Sequence, residues 1–334
     1  MDELKLLESG RIFPKRLAPL SEEEIRSGWK ERDGRPLVSV CCATFNHAKW
    51  IEDAICGFLA QKTDFAFEII VRDDASIDGT TDIVLDYASR YPNIIRPIVN
   101  EFNQYSIGIA PAKAWPLVAR GKYIALCEGD DFWIVTDKLQ KQCDLMRLNA
   151  DAVMSVALTH CFIDNGGILQ YQQTTTAPEH SLIDFDDLSY RYFHTSTFFI
   201  RLDAYSEVIK NYWRKGVFDD TALIACLITL GPFVALSEVV SVYRITGRGV
   251  YSSRKLASQL EWAYKIAQYL FDVLPAQYKR NQLVQMYSVS VRLSKLHFHD
   301  FNWCQVLLWS TRLAVLFTRR ALGLVSRRFR LKIS

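Results

Sequence analysis

The sequence has no run of about 18 uncharged apolar residues, the length that a helix needs to cross a bilayer, so no transmembrane helix is expected. Its net charge of +3 over 334 residues is far from the concentrated basic surface of nucleic-acid-binding proteins, and no nucleic-acid partner is expected. The first residues, MDELKLLESGRIFPKR, include acids and lack an apolar core, so we expect no secretory signal. These absences predict a cytoplasmic protein.

Motifs of several common enzyme classes are also missing. The sequence has no G-x-x-x-x-G-K-[ST] phosphate loop, no H-E-x-x-H metal motif and no G-x-S-x-G turn, which excludes the enzymes built on them. The eight cysteines include no C-x-x-C pair, and most lie in apolar runs. We therefore interpret them as free thiols that pack as small hydrophobes in a reducing compartment.

Hydrophobic residues make up 49% of the chain and charged residues 23%, as in a folded protein with a sizeable core. In the first half, apolar β-branched runs alternate with segments of helical periodicity. The predicted strands are residues 37–45, 67–71, 94–99 and 122–127. This alternation predicts an α/β fold with a mostly parallel central sheet and helices on both faces.

Three segments are distinguished along the chain. Residues 1–36 are a polar lead-in, in which residues 21–24 can start a short capped helix. Residues 37–252 form the α/β domain, and residues 253–334 form a helical region that ends in a basic amphipathic tail. Further strands are expected at 153–158, 197–200 and 234–242, with a helix at 221–230 that stops at Gly231-Pro232.

Two pairs of aspartates follow predicted strands directly. Asp73 and Asp74 follow one strand, and Asp130 and Asp131 follow another. Because ligands bind beyond the carboxyl ends of the strands in such sheets, both pairs are expected to face one crevice.

The segment from Glu128 to Asp131 offers hard oxygen ligands for Mn²⁺ or Mg²⁺. A cation there would neutralise charge on a nucleoside-diphosphate leaving group. The alternative is a solvated acidic turn that caps the next helix. In the segment from Asp73 to Thr80, a carboxylate can accept a hydrogen bond from a nucleobase N–H, or the residues can serve as turn and helix-cap residues.

Three motifs, VSVCCATFN, IIVRDDASIDGTTDI and GKYIALCEGDDFW, occur in this order and together resemble the signature of glycosyltransferase family 2. The resemblance extends over residues 37–253. It implies a GT-A fold, which is a Rossmann-like α/β architecture, an inverting mechanism, and a UDP-sugar or similar nucleotide-sugar donor. It also implies a place in bacterial surface-polysaccharide assembly.

The resemblance assigns roles to individual residues. Asp74 resembles the acid that contacts the nucleobase, with Phe45 near the base and Asp73 beside it. Asp130 and Asp131 resemble the pair that contacts the ribose and the metal ion. Two positions depart from the usual pattern, because Glu128 stands where an aspartate is commoner and Ala43 replaces the usual proline or threonine.

An inverting transfer also needs a carboxylate that takes the proton of the acceptor hydroxyl. The segment around Phe218-Asp219-Asp220-Thr221 is similar to the family's catalytic-base region, and the spacing to Gly231 assigns the base to Asp220, with Asp219 as its neighbour. Two adjacent acids before a helix are otherwise ordinary helix-capping residues.

Three further residues are candidates for ligand contacts. Arg244 and Arg248 follow the last predicted strand, where a flexible basic loop can fold over a diphosphate, although a surface turn is the alternative. His194 lies in a stretch that resembles the acceptor side of related enzymes, although a lone histidine is more often structural.

The C-terminal tail carries the excess of positive charge. From Phe301 to Ser334 there are seven Arg or Lys and no Asp or Glu. Apolar residues interleave with these cations, so the tail can lie in the headgroup region of an anionic inner membrane or pack on the catalytic domain.

The working hypothesis is an enzyme that transfers a hexose or N-acetylhexosamine from a nucleotide sugar to a glycan or lipid-linked acceptor. Two other classes remain open. One is a non-catalytic scaffold that binds the donor, and the other is a metal-dependent phosphohydrolase.

Overall fold

The computed structural model describes residues 13–30, 35–165, 168–175, 182–183, 193–247, 254–299 and 312. The chain divides into two compact units. The first comprises residues 1–215 and 227–249, and the second comprises residues 216–226 and 250–334. Within the described ranges, no helix is both long enough and apolar enough to cross a membrane.

A single mixed sheet forms the framework of the first unit. Its strands are β1 (Val38–Thr44), β2 (Phe67–Asp73), β3 (Ile95–Val99), β4 (Tyr123–Leu126), β5 (Phe132–Trp133), β6 (Met154–Asn165), β7 (Ile168–Thr174), β8 (Leu182–Ile183), β9 (Phe199–Arg201) and β10 (Phe233–Ile245). The order is β3-β2-β1-β4-β9-β6-β10-β5, with β7 paired to β6 and β8 to β10.

The helices follow the strands as expected for an α/β protein. They are α1 (Glu22–Ser27), α2 (Ile51–Leu59), α3 (Thr80–Arg90), α4 (Trp115–Val118), α5 (Lys138–Leu148), α6 (Leu202–Tyr212), α7 (Asp220–Leu227), α8 (Leu256–Val273) and α9 (Lys279–His299). Short 3-10 helices cover Pro111–Lys113, Thr195–Thr197 and Ala276–Tyr278.

The predicted α/β fold is confirmed, and among the described strands the sheet is mixed, with four parallel and five antiparallel strand pairs. Strands β3, β2, β1 and β4 are mutually parallel, and β6 is parallel to β10. All residues of β2 and nearly all of β1 are buried, because helices cover both faces of the central strands. In the register, Thr44 lies opposite Asp73 and Cys41 opposite Leu126, so the carboxyl ends of β1, β2 and β4 meet at one edge.

Several elements differ from the sequence expectation. Strand β5 pairs with β10 through two residues only, a length too short for a periodicity signal. Helix α3 begins at Thr80, where Gly79 takes a φ of 97° and Asp78 accepts the Thr80 N–H at 3.1 Å. Strand β7 extends the sheet beyond the predicted strands.

The lead-in contributes to the core of the first unit. Helix α1 has the expected capping box between Ser21 and Glu24, and Ile25 and Trp29 join the main apolar cluster. The cysteines are free and buried, as expected, except that Cys304 lies outside the described residues.

The second unit has its own small apolar core. Leu260, Tyr264 and Ala267 of α8 pack with Met286 and Leu293 of α9. The basic tail lies outside the described residues apart from Arg312.

Candidate functional site

The edge where β1, β2 and β4 end carries both aspartate pairs of the first unit. The turn after β4 approaches β1 so closely that a Cβ atom on Gly129 would lie 2.7 Å from Thr44 Oγ1. The Gly129 N–H donates to the Ala43 carbonyl at 2.9 Å, and the Asp74 N–H donates to the Thr44 carbonyl at 3.0 Å. These backbone bonds hold the two acidic turns on either side of β1.

Asp130 presents a carboxylate that the fold does not use. Among the described residues, no hydrogen bond reaches its side-chain oxygens. The nearest cationic or imidazole group is His47, whose Nε2 lies 3.8 Å from Asp130 Oδ2. The side chain is 16% exposed, so it is held at the protein surface and open to a ligand.

Asp131 is used by the fold instead. Its side chain is 2% exposed, and its Oδ1 accepts the backbone N–H of Arg244 at 2.9 Å. Burial, together with the charges of Asp130 and Glu128, raises the pKa of Asp131 well above its usual value. Asp131 therefore fixes the turn after β4 against β10.

Arg244 is also engaged within the protein. Its guanidinium donates to the carboxylate of Asp53 and, at 2.9 Å, to the backbone carbonyl of Asp130, and it lies 4.2 Å from the ring centre of Phe132. The side chain is only 5% exposed. Its predicted contact with the donor diphosphate is not part of this arrangement and stays a prediction.

A layer behind Asp131 supports the turn. His194 is buried, stacks on Tyr243 with ring centres 4.0 Å apart, and places Nδ1 at 3.7 Å from Asp131 Oδ2. Burial lowers the pKa of His194 to about 3, so the imidazole is neutral. Thr195 donates to the Glu128 carboxylate at 2.7 Å. Through these contacts, His194 and Thr195 support Asp131 and Glu128 in the acidic turn.

Both carboxylates after β2 are bound within the protein. Asp73 is fully buried and accepts hydrogen bonds from the hydroxyls of Ser76 and Thr81. Asp74 is nearly buried and accepts the backbone N–H groups of Gln104 at 3.0 Å and Tyr105 at 2.9 Å.

Asn100 adds a further bond to Asp74 at 2.7 Å, so one of the roughly four acceptor positions of this carboxylate remains. Phe45 follows β1 directly and is 43% exposed, which leaves its ring face free to stack on a flat base. The predicted nucleobase contacts of Phe45 and Asp74 remain predictions.

Asp219 and Asp220 belong to the second unit, at the start of α7. Asp219 accepts the Ala222 N–H at 3.0 Å and the indole N–H of Trp262 at 2.9 Å, which ties α7 to α8. Asp220 accepts only the N–H of Thr221 among the described residues, at 2.9 Å. Burial and the neighbouring charge of Asp219 raise the pKa of Asp220 to about 6.

The residues around Asp130 fit a divalent cation, although within the described ranges no group of three or more His, Cys, Asp or Glu side chains forms a metal cluster. The Asp130 carboxylate accepts no hydrogen bond from the described residues, is partly exposed and is of the hard-oxygen type that Mg²⁺ and Mn²⁺ prefer. A cation that takes only one or two protein ligands leaves its other positions to phosphate oxygens and water. Asp131 is buried beside Asp130, and its predicted metal contact stays a prediction.

Sequence reasoning missed three residues that contact the predicted site residues of the two units. His47 faces Asp130, Asp53 receives Arg244, and Trp262 holds Asp219. A histidine directly after a strand-end asparagine was the available signal for His47, whereas the Asp53 and Trp262 contacts join distant segments. Arg248 lies outside the described residues.

Solved structures share this fold. TarS 1–349 of S. aureus, solved in complex with UDP-GlcNAc, has a TM-score of 0.52 and 16% identity, and the match covers 75% of this chain and 71% of that chain. Mannosyltransferase PcManGT of Pyrobaculum calidifontis, solved in complex with GDP-Man and Mn²⁺, has a TM-score of 0.52 and 16% identity. The match covers 99% of this chain and 87% of that chain. The fold is that of the GT-A glycosyltransferases.

The family follows from sequence comparison. The profile described as Glycosyl transferase family 2 matches residues 39–209, and the chain belongs to this family. An uncharacterized glycosyltransferase of Nostoc sp. is 27% identical over 86% of this chain and 88% of its own length.

Other relatives match over a shorter segment. An uncharacterized protein of Mycobacterium tuberculosis is 45% identical over 31% of this chain, and the match spans only 30% of that relative. The putative teichuronic acid biosynthesis glycosyltransferase TuaG of Bacillus subtilis is 36% identical over 34% of this chain and 42% of its own length.

Proposed function

We propose that the protein is an inverting glycosyltransferase that moves a hexose or N-acetylhexosamine from a nucleotide sugar, with a UDP-sugar as the first candidate, to a glycan or lipid-linked acceptor in bacterial surface-polysaccharide assembly. The observation that carries the proposal is the Asp130 carboxylate after β4, which accepts no hydrogen bond from the described residues, in a chain of this family. A relative from Escherichia coli, 35% identical over 33% of this chain and 41% of its own length, is named as a UDP-Glc:alpha-D-GlcNAc-diphosphoundecaprenol beta-1,3-glucosyltransferase.

The donor is proposed to lie along the edge formed by β1, β2 and β4. Phe45 stacks on the nucleobase, Asp74 offers its remaining acceptor position to a base N–H, and Asp130 faces the diphosphate. A bound Mn²⁺ or Mg²⁺ would neutralise the negative charge that develops on the leaving nucleoside diphosphate. Asp73 and Asp131 hold the two turns in place through the hydrogen bonds of their buried carboxylates.

Asp220 is proposed as the general base. Its carboxylate accepts the proton of the acceptor hydroxyl while that oxygen forms a bond to the anomeric carbon, from the face opposite the nucleotide. The bond from the anomeric carbon to the diphosphate oxygen breaks, and the electron pair leaves with the nucleotide. The raised pKa of Asp220, about 6, suits this role because it makes the carboxylate a better proton acceptor at neutral pH.

Other predicted residues have supporting parts in this proposal. Asp219, Glu128 and His194 orient the groups beside them. Arg244 contacts the nucleotide sugar only when its ion pair with Asp53 is broken. We also propose that the tail beyond residue 300 places the enzyme on the cytoplasmic face of an anionic membrane. Equal liposome flotation of the full chain and of a chain ending near residue 300 would contradict that placement.

The test is donor turnover with and without acceptor. Nucleotide sugars are first screened by thermal shift with Mn²⁺, since a bound ligand raises the melting temperature. The stabilising donor is then incubated with and without glycan acceptors, and released nucleotide is measured. Acceptor-dependent release that is lost in Asp220→Asn supports the proposal. Full-rate release without acceptor would indicate a phosphohydrolase, and donor binding without any release would indicate a scaffold.

A further inference from the structure

His47 lies at the end of the turn after β1 and faces the Asp130 carboxylate. We propose that His47 is a metal-binding residue, whose imidazole and the carboxylate of Asp130 hold one divalent transition-metal ion between them. The inference rests on the metal site of the proposed function and adds a nitrogen ligand to it.

The separation of the two side chains suits a shared cation. His47 Nε2 lies 3.8 Å from Asp130 Oδ2. Two atoms bound to one cation lie at most twice the metal–ligand bond length apart, which is about 4.2 Å for bonds of about 2.1 Å. The side chains are 20% and 16% exposed, so both open to the same surface. One cation can therefore contact both atoms.

The imidazole has no hydrogen-bonding role in the described part of the fold. Its Nδ1 is buried there without a partner, and Nε2 faces only Asp130. The ring packs edge-on against Trp50, with centres 5.9 Å apart. Polar groups held inside a protein for structural reasons are nearly always hydrogen-bonded. Within the described residues no hydrogen bond fixes the His47 ring, and its Nε2, the atom that faces Asp130, is available to a cation.

The backbone of His47 is held firmly, as a ligand site requires. Its N–H donates to Thr80 Oγ1 at 2.8 Å, and its carbonyl accepts the N–H groups of Trp50 and Ile51, each at 2.8 Å. The preceding Asn46 has a φ of 54° and donates its N–H to Ser76 Oγ at 2.8 Å. The turn after β2 thus fixes the turn that carries His47, so the imidazole is preorganised towards Asp130.

The nitrogen ligand predicts which metal ion is favoured. Mg²⁺ prefers oxygen ligands and keeps its water, whereas first-row transition ions accept imidazole readily. A site made of one carboxylate and one imidazole is therefore expected to bind Mn²⁺ more tightly than Mg²⁺, and loss of the imidazole is expected to remove that preference.

The experiment measures Mn²⁺ bound to the full-length, tag-free protein by electron paramagnetic resonance, with Mn²⁺ alone and with Mn²⁺ and UDP. Spin-echo modulation from ¹⁴N reports an imidazole ligand. His47→Ala is expected to weaken Mn²⁺ binding about tenfold or more. The affinity for Mg²⁺, measured by its competition with Mn²⁺, is expected to change much less. His47→Asp is expected to retain Mn²⁺ binding, lose the ¹⁴N modulation and gain affinity for Mg²⁺. Thermal unfolding checks that each variant is folded.

Two failures are distinguishable. Wild-type protein whose bound Mn²⁺ requires Asp130 but shows no ¹⁴N modulation would overturn the role of His47 and leave the metal site of the proposed function intact. Mn²⁺ binding that is unchanged in Asp130→Asn would overturn both. Imidazole modulation that disappears in His47→Ala, together with weaker binding in Asp130→Asn, supports the proposal.

Discussion

The turns after β2 and β4 each carry two adjacent aspartates at the same edge of the sheet, and the fold treats them differently. After β2, Asp73 and Asp74 both accept hydrogen bonds from the protein. After β4, Asp131 accepts a backbone N–H, but no described hydrogen bond reaches the Asp130 side chain. A carboxylate that the protein satisfies stabilises the fold, whereas one that it leaves unpaired is available to a ligand.

The second unit repeats this division within one pair. Asp219 is bound by the Trp262 indole and by the Ala222 N–H, whereas Asp220 receives only the adjacent N–H of Thr221. Adjacency in sequence therefore does not imply a shared role, and we propose that the hydrogen bonds around each carboxylate separate the structural member of a pair from the functional one.

The largest effect is expected from the pair in the second unit. Asp220→Asn should lower turnover by about 10²- to 10⁴-fold, because the amide cannot accept the proton of the acceptor hydroxyl. Asp219→Asn should mainly lower the melting temperature, because the amide has one oxygen only and cannot accept both the Trp262 and the Ala222 N–H. Steady-state kinetics and thermal unfolding of both variants check this difference. Equal loss of turnover in the two would remove the distinction.

The pair after β4 provides the matched comparison in the first unit. Asp130→Asn should lower kcat/KM by about 10²- to 10³-fold, since it removes charge stabilisation at the diphosphate. Asp131→Asn should cost less than about tenfold, because the amide oxygen still accepts the Arg244 N–H. Steady-state kinetics at saturating Mn²⁺ measures both. A larger loss in Asp131→Asn would reverse the assignment.

The pH profile tests the raised pKa of Asp220. The base works only when deprotonated, so kcat/KM should be half-maximal at the pKa of about 6, level off above about pH 7 and fall about tenfold for each pH unit well below the pKa. The rate is measured between about pH 4.5 and about pH 8, with the substrate below its KM and the ionic strength held constant. A profile that stays flat down to about pH 5 would contradict the role of Asp220.

The smallest effect on turnover, and a clear effect on stability, is expected at Asp73. Asp73→Ala leaves the Ser76 and Thr81 hydroxyls without their acceptor and should lower the free energy of unfolding by about 1–3 kcal/mol. Asp82→Ala is the control. This acid is exposed in the first turn of α3, so its removal should change the free energy of unfolding by less than about 1 kcal/mol. Urea denaturation measures both. Equal stabilities would show that Asp73 does not hold its turn.

Much of the fold was predictable from sequence because its signals are local. The apolar run from Val38 to Thr44 and the helical spacing after Trp50 reveal the first β-α unit, and the position of the acids at strand ends follows from the parallel sheet. The family motifs reinforced the same elements. Strand β5 was not predictable, since two residues carry no periodicity.

Which aspartate of each pair accepts hydrogen bonds from the protein was not predictable, because this depends on contacts between distant segments. The Arg244 guanidinium donates to Asp53 and the Arg244 N–H donates to Asp131, residues that lie 191 and 113 positions away in the sequence. His47 meets Asp130 only because Thr80 and Ser76 fix the turn after β1. No spacing rule in a single sequence reports such pairings.

The most direct measurement is a crystal structure of the protein grown with Mn²⁺ and UDP, with anomalous scattering used to locate manganese. We expect an anomalous peak about 2.0–2.6 Å from a side-chain oxygen of Asp130, with Asp73 and Asp131 still in their hydrogen bonds to the protein. A manganese ion bound by Asp73 or Asp74, with the Asp130 carboxylate free of metal and nucleotide, would contradict the account.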